Sequence, residues 1–179
     1  MIYETERLIL REWRESDLEP FARMGQDVKV MEFFPKLLTH AESAALIARI
    51  QAKFSQEGFC FFAVELKSTA EFIGFIGLSI PSFQAHFTPC VEIGWRLAAK
   101  YWGYGYASEG AQKCLEIGFK QLKLREIVSF AVKDNLNSIK VMQKIGMQQD
   151  LNGRFMHPSL AKDSPLAEHV LYRIQAPQE

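Results

Sequence analysis

One stretch limits what this chain can fold into: Lys100-Tyr-Trp-Gly103-Tyr-Gly105-Tyr-Ala107-Ser-Glu-Gly110. Before it, Cys90-Val-Glu-Ile-Gly-Trp-Arg-Leu97 reads as a strand. After it, Ala107 to Lys120 reads as a helix, with apolar or small residues at Ala107, Ala111, Cys114, Leu115, Ile117, Gly118 and Phe119. A strand, a glycine turn and a helix N-terminus make an anion site. The first N–H groups of a helix lack an internal partner, and the helix dipole places partial positive charge there. Glycines allow positive φ and a close approach of backbone to phosphate. Residues 102–108 therefore read as a pyrophosphate cradle; a turn that merely ends a strand is the competing reading. A P-loop would need Gly-Lys-Ser/Thr at its end, and here Gly105 is followed by Tyr-Ala. A dinucleotide fingerprint would need a third glycine where Ser108 stands, and it opens its domain instead of following a hundred residues of other structure.

A second stretch strengthens the cradle reading. Asp134-Asn135-Leu-Asn137-Ser138-Ile-Lys-Val-Met142-Gln-Lys-Ile-Gly146-Met147 follows a strand at 127–132. It opens with cap-type residues, runs as a short helix and stops at Gly146, a C′ glycine. With it, an ordered set of pieces spans nearly the whole chain. The set is Glu4-Thr-Glu-Arg-Leu-Ile-Leu-Arg-Glu-Trp13 with Asp17-Leu18, Phe72-Ile-Gly-Phe-Ile-Gly-Leu78, Val91-Glu-Ile-Gly-Trp95, Trp102-Gly-Tyr-Gly-Tyr-Ala-Ser-Glu109, Asn135-x-x-Ser138 and Lys144-Ile-Gly-Met147. On these residues the chain resembles the GCN5-related N-acetyltransferases (GNAT), within them the branch of the ribosomal-protein N-terminal alanine acetyltransferases. The resemblance implies acetyl-coenzyme A as co-substrate, no metal, and an amine acceptor. It also implies a mostly antiparallel central sheet, splayed near its middle to admit the cofactor and flanked by about four helices.

The rest of the chain agrees with a mixed α/β (α+β) sheet in a single domain over 1–179. Strands are expected at 6–11, 59–66, 72–80, 90–97, 127–132 and 169–174. Helices are expected after Ser16-Asp17, with Leu18, Phe21 and Met24 on one face, and after the capping box Thr39-His-Ala-Glu42. Val30-Met-Glu-Phe-Phe-Pro35 is an apolar loop with two readings, a lid on the core or a wall of the acceptor pocket. Residues 150–166 read as loop, the short strand 169–174 as a closing strand whose exposure would permit a dimer, and 175–179 as a frayed end.

Composition excludes some classes. With 21 basic and 21 acidic residues the formal charge is zero, so neither nucleic acid nor an anionic membrane is an expected partner. No basic-then-apolar leader opens the chain and no apolar run is long enough to span a bilayer. Cys60, Cys90 and Cys114 are widely spaced, in apolar surroundings, and form no metal-type pair. They read as core thiols in a reducing cytoplasm. His40, His86 and His169 show no metal spacing with each other or with cysteine. The oligomeric expectation is a monomer or homodimer.

Site residues divide by task. Main-chain N–H groups of Trp102, Gly103, Tyr104, Gly105, Tyr106, Ala107 and Ser108 would hold the pyrophosphate. The resemblance assigns the strand edge Trp95-Arg96-Leu97 to the pantetheine amides, paired as an added strand would be. Asn135 either bonds those amides or caps its helix. Lys140 and Lys144 either meet adenosine phosphates or face solvent. Attack on a thioester needs a neutral amine, and amines are largely protonated near neutrality, so a general base helps. Glu92 is the candidate, a carboxylate within an apolar run; alternation could instead put it on a solvated face. Many relatives of the resembled family carry a tyrosine acid where Met142 stands here. Ser138 is the substitute donor to the departing thiolate, or else a cap hydroxyl. His157 either orients the acceptor or is an ordinary surface histidine. The acceptor is a protein N-terminal α-amine or a small-molecule amine, and loss of catalysis would leave an acyl-coenzyme A-binding sensor.

Overall fold

A computed structural model describes residues 1–177. Its strands are β1 (Ile2–Glu4), β2 (Leu8–Arg11), β3 (Phe61–Leu66), β4 (Phe72–Ser79), β5 (Glu92–Leu97), β6 (Glu126–Val132), β7 (Gln148–Met156) and β8 (Glu168–Gln175). Its α-helices are α1 (Leu18–Gly25), α2 (His40–Glu57), α3 (Tyr106–Glu116) and α4 (Leu136–Lys144). The strands form one sheet in the order β1-β2-β3-β4-β5-β6-β8-β7, with every neighbouring pair antiparallel except β5 and β6. The expected mixed sheet, mostly antiparallel, with four helices, is the fold observed.

Strand alternation builds the two faces. Leu8, Leu10, Phe62, Val64, Ile76, Ile93 and Leu97 point to one side, where they pack with Ala111, Cys114 and Leu115 of α3 and Met142 of α4. Ala63 and Phe75 point to the other, where Trp13, Phe21, Met24, Ile47 and Ile50 bring in α1 and α2. Helix α2 begins with the expected capping box: Thr39 accepts from Glu42 N–H and Glu42 accepts from Thr39 N–H. It ends at Gly58, φ +78°. The helix expected over 107–120 is α-helical only to Glu116 and continues as a π-turn over Ile117–Gln121.

One glycine allows the close approach on which the site depends. At Gly74 (φ +141°) a Cβ would stand 2.1 Å from Arg96 O, so β5 lies against β4 only because no side chain intervenes.

Two expectations are corrected. Residues 150–166 are not all loop, because β7 occupies 148–156. Its only buried residues are Gly153 and Phe155, and its register shifts between Asp150 and Phe155, so no alternating apolar pattern betrays it. Cross-strand ion pairing of Arg173 to Asp150 (2.8 Å) helps hold it. The closing strand is likewise no edge: β8 lies between β6 and β7, so the segment 169–174 offers no exposed rim for a dimer. At the C-terminus Gln175 still belongs to β8, and 178–179 lie outside the described residues.

Candidate active site

Six residue pairs register β4 against β5 and seven register β6 against β8, but β5 and β6 share a single one, Glu92 with Val128. The sheet therefore opens beyond Glu92. Val91 O accepts from Val128 N–H (3.0 Å) and Ile93 O accepts from Ser129 Oγ (2.9 Å), so odd-numbered main-chain groups of β5 face β6. Two residues on, Trp95 N–H and C=O point the same way, into the gap. A cavity of about 700 Å³ occupies this opening and extends to the loop between α1 and α2. Of the loop residues, Val30 and Met31 are buried in the core, and Val30, Phe33, Phe34 and Pro35 border the cavity, so the loop covers part of the core and walls part of the cavity.

The turn after β5 has the expected geometry. Gly103 and Gly105 both have φ +83°, a conformation that β-carbon sterics disfavour for other residues. The Trp102 indole N–H donates to Leu97 O (2.8 Å), pinning the turn to the strand. The first helical bond runs from Glu109 N–H to Gly105 O (3.0 Å), which leaves the N–H groups of Tyr106, Ala107 and Ser108 ahead of the ladder. Two cations flank them: a Cβ at Gly105 would stand 3.5 Å from Arg7 Nη2 and 3.6 Å from Lys144 Nζ. Arg7 is held by Glu109 (2.6 Å) and donates to Tyr104 O (3.0 Å), and its guanidinium lies 4.6 Å from the Tyr106 ring centroid. Sequence reasoning missed Arg7, which lies a hundred residues from the turn it serves. Free N–H groups, permissive glycines and two cations fit a pyrophosphate, and the unpaired Trp95 amide fits an extended chain of amides.

Glu92 points to the α1–α2 side of the sheet, opposite Ile93. It borders the cavity, and enough protein surrounds its carboxyl that burial pushes its pKa up to about 7. Lys53 of α2 pulls in the opposite direction, and no hydrogen bond contributes. Lys53 itself donates to Ile80 O and lies 3.4 Å from Ser79 Oγ, on the strand that pairs with Glu92. A carboxyl poised near neutrality beside a cavity is suited to accept a proton.

Asn135 is the N-cap of α4: its Oδ1 accepts from Ser138 N–H (3.2 Å), while its amide N–H₂ remains available to the cavity. Ser138 is not the cap. It is half-buried and lines the cavity. Met142 is buried at the same wall. Tyr104 is well exposed and stacks on Tyr106 (5.6 Å between centroids). His157 is half-buried, not a free surface residue; its ring centroid lies 5.1 Å from that of His169 and 4.6 Å from that of Phe83, and burial lowers its pKa. Among the described residues no group of three or more His, Cys, Asp or Glu side chains is placed to hold a metal ion, and no helix is long and apolar enough to cross a membrane.

Comparison with known proteins agrees with this geometry. Residues 7–148 match the family model described as an acetyltransferase (GNAT) domain. The uncharacterized N-acetyltransferase YnaD of Bacillus subtilis is 32% identical over 147 residues, 82% of each chain. A crystal structure of a GNAT-family acetyltransferase from Bacillus anthracis superposes with TM-score 0.79 at 29% identity, over 98% of both chains. The ribosomal L7/L12 α-N-protein acetyltransferase RimL, solved in complex with coenzyme A, superposes with TM-score 0.77 over 98% of both chains. At 17% identity that likeness is one of fold. The family match extends over most of the chain and includes the glycine turn, the splayed strand and Asn135: this protein belongs to the GNAT family of acetyltransferases, which draw the acetyl group from acetyl-coenzyme A.

Proposed function

We propose that residues 1–179 form a single N-acetyltransferase domain that transfers acetyl directly to a primary amine, foremost the N-terminal α-amine of a protein. The observation that carries the proposal is Glu92, a carboxyl with pKa about 7 at the point where β5 and β6 part. Acetyl-coenzyme A supplies an activated acetyl thioester. Tyr106, Ala107 and Ser108 N–H groups, with Arg7 and Lys144, hold its pyrophosphate, and Trp95, Arg96 and Leu97 run beside its amide arm with Asn135 opposite. Glu92 takes the proton that the amine loses as its nitrogen bonds to the acetyl carbon. Ser138 hydrogen-bonds the sulfur released when the carbon–sulfur bond breaks. An α-amine, neutral to roughly a tenth at neutrality, needs less help from such a base than a lysine does. RimL, named for α-N-protein acetylation, is consistent with that choice. Reduced thiols at Cys60, Cys90 and Cys114 suit a cytoplasmic setting.

Thiol release from acetyl-coenzyme A against N-terminal peptides and small amines tests the proposal, with cofactor binding read separately by thermal shift. Turnover on α-amine peptides is expected. Turnover confined to small amines would replace the acceptor, and cofactor binding without turnover on any amine would leave a sensor. Unchanged turnover in Ser138→Ala would remove that hydroxyl from the reaction.

Gly105→Val puts a β-branched residue at φ +83° and a side chain between Arg7 and Lys144. Coenzyme A affinity by calorimetry should fall roughly 10- to 100-fold, the worth of one or two charge-assisted hydrogen bonds. Lys53→Met addresses the pH profile. Lys53 lowers the Glu92 pKa, so its loss raises that pKa. The base must be ionised to work, so the acid limb of kcat/KM should move to higher pH in the variant. An unmoved limb would mean that Glu92 does not set it.

A further inference from the structure

Among the described residues Arg96 is a cation without an ion-pair partner. It follows Glu92 by four residues on β5 and points to the same α1–α2 side, into the cavity. Its guanidinium lies 4.2 Å from the ring centroid of Phe34 and 5.4 Å from that of Phe75. Such contacts satisfy the flat faces of a guanidinium; its N–H bonds lie in the plane and need acceptors at the edge. Among the described residues nothing accepts from Nε or Nη1, although both atoms are fully enclosed. Glu32, on the same loop as Phe34, borders the cavity but accepts no bond from Nε or Nη1 of Arg96. The cost is visible in the chemistry of the group: burial alone lowers its pKa to about 10. An enclosed, unpaired guanidinium is costly unless something supplies the anion. The pyrophosphate cradle has its own cations in Arg7 and Lys144, at the N-terminus of α3.

We infer that Arg96 reads an anion on the acceptor, so that the preferred acceptor is a primary amine bearing a carboxylate several bonds away. The inference rests on the acetyl-transfer reading above and narrows its substrate. Four residues of strand separate Glu92 from Arg96 by about 13 Å along the backbone. One acceptor that serves both therefore holds amine and carboxylate apart. Either an ω-amino acid or a peptide N-terminus with Asp or Glu among its first residues has this chemistry; a planar carboxylate suits the forked guanidinium.

The test compares isosteric pairs: ω-aminohexanoate against its amide, and Ala-Asp-Phe amide against Ala-Asn-Phe amide. Each pair is measured twice, by turnover and by calorimetric binding to protein saturated with coenzyme A. The acid is expected to bind on the order of 10- to 100-fold more tightly than the amide (a lower Kd) and to exceed it by a similar factor in kcat/KM. Arg96→Met should erase the difference. Which pair shows the larger preference identifies small molecule or peptide as the source of the carboxylate. Equal treatment of acid and amide by the wild-type protein overturns the inference whatever the variant does. So does a preference that survives Arg96→Met, or a loss of coenzyme A affinity in that variant as large as the loss of acid preference. Acid preference in binding without turnover would overturn the direct-transfer reading and leave the anion-reading role standing. Turnover without acid preference would do the reverse.

Discussion

Glu92→Gln should lower turnover by about 10²- to 10⁴-fold, the usual worth of a positioned general base, and leave coenzyme A affinity close to that of the wild type. The substitution keeps the shape of the side chain and removes only its capacity to take a proton. The control lies in the stability of the variant. The Glu92 pKa is raised in the folded protein, to about 7, above the ordinary carboxylate value it has when unfolded. Between those two values the unfolded chain releases a proton that the folded chain retains. This group therefore costs the folded state stability as pH rises from about 4.5 to about 7, after which the cost is constant. Glutamine carries no such cost. At pH 8 the variant should melt no lower than the wild type while its turnover has collapsed. A variant that melts earlier, or that turns over at the wild-type rate, would take Glu92 out of the role of base.

Asp17→Ala should have the largest effect on stability, about 3–5 kcal/mol, as expected when a buried ion pair loses one partner. Arg11 and Asp17 are both almost wholly buried, and their side chains meet in two bonds of 2.7 and 2.9 Å. The Arg11 Nε–H also donates to Glu65 (2.8 Å), and Asp17 accepts from Arg14 N–H (2.8 Å). The Asp17 bond is the foremost influence raising the Arg11 pKa. Removing Asp17 leaves a buried guanidinium with Glu65 as its remaining carboxylate and frees the turn that precedes α1. At roughly 2–4 °C per kcal/mol for a chain of this size, the melting temperature should fall by some 6–20 °C. The damage should also reach function. The turn leads through α1 to the loop carrying Phe34, so acceptor KM is expected to rise before cofactor affinity changes. A shift of less than about 2 °C would mean that the network adds little net stability.

Both predictions use residues visible in the sequence, but for different reasons. Glu92 stood out as a carboxylate in the apolar run Val91-Glu-Ile-Gly-Trp, and local chemistry was enough to nominate it. Asp17 was legible only as a helix-start residue, because the buried network it joins through Arg11 also needs Glu65, on a strand that sequence reading cannot register against β2. The same division holds elsewhere. The glycine turn at 103–105 was readable because left-handed backbone and free helix N–H groups are local properties. The capping box at Thr39 was readable because its two bonds close within four residues. β7 escaped notice because it is an edge strand whose stability comes from its neighbour and not from its own apolar pattern.

By itself the sequence determined the order of strands and helices beyond the edges, the glycine turn and helix start after β5, the candidate base and the family. These depend on periodicity, turn chemistry and spacing, all of which act over a few residues. The tertiary structure alone decided the rest. It brought Arg7 and Lys144 to Gly105, set Lys53 near Glu92, buried β8 between two strands, and set Arg96 against two aromatic rings with nothing among the described residues to accept from its Nε and Nη1. Each of these is a contact between segments far apart in the chain. Its energy depends on desolvation and on distance, and neither exists until the sheet has formed and opened at Glu92.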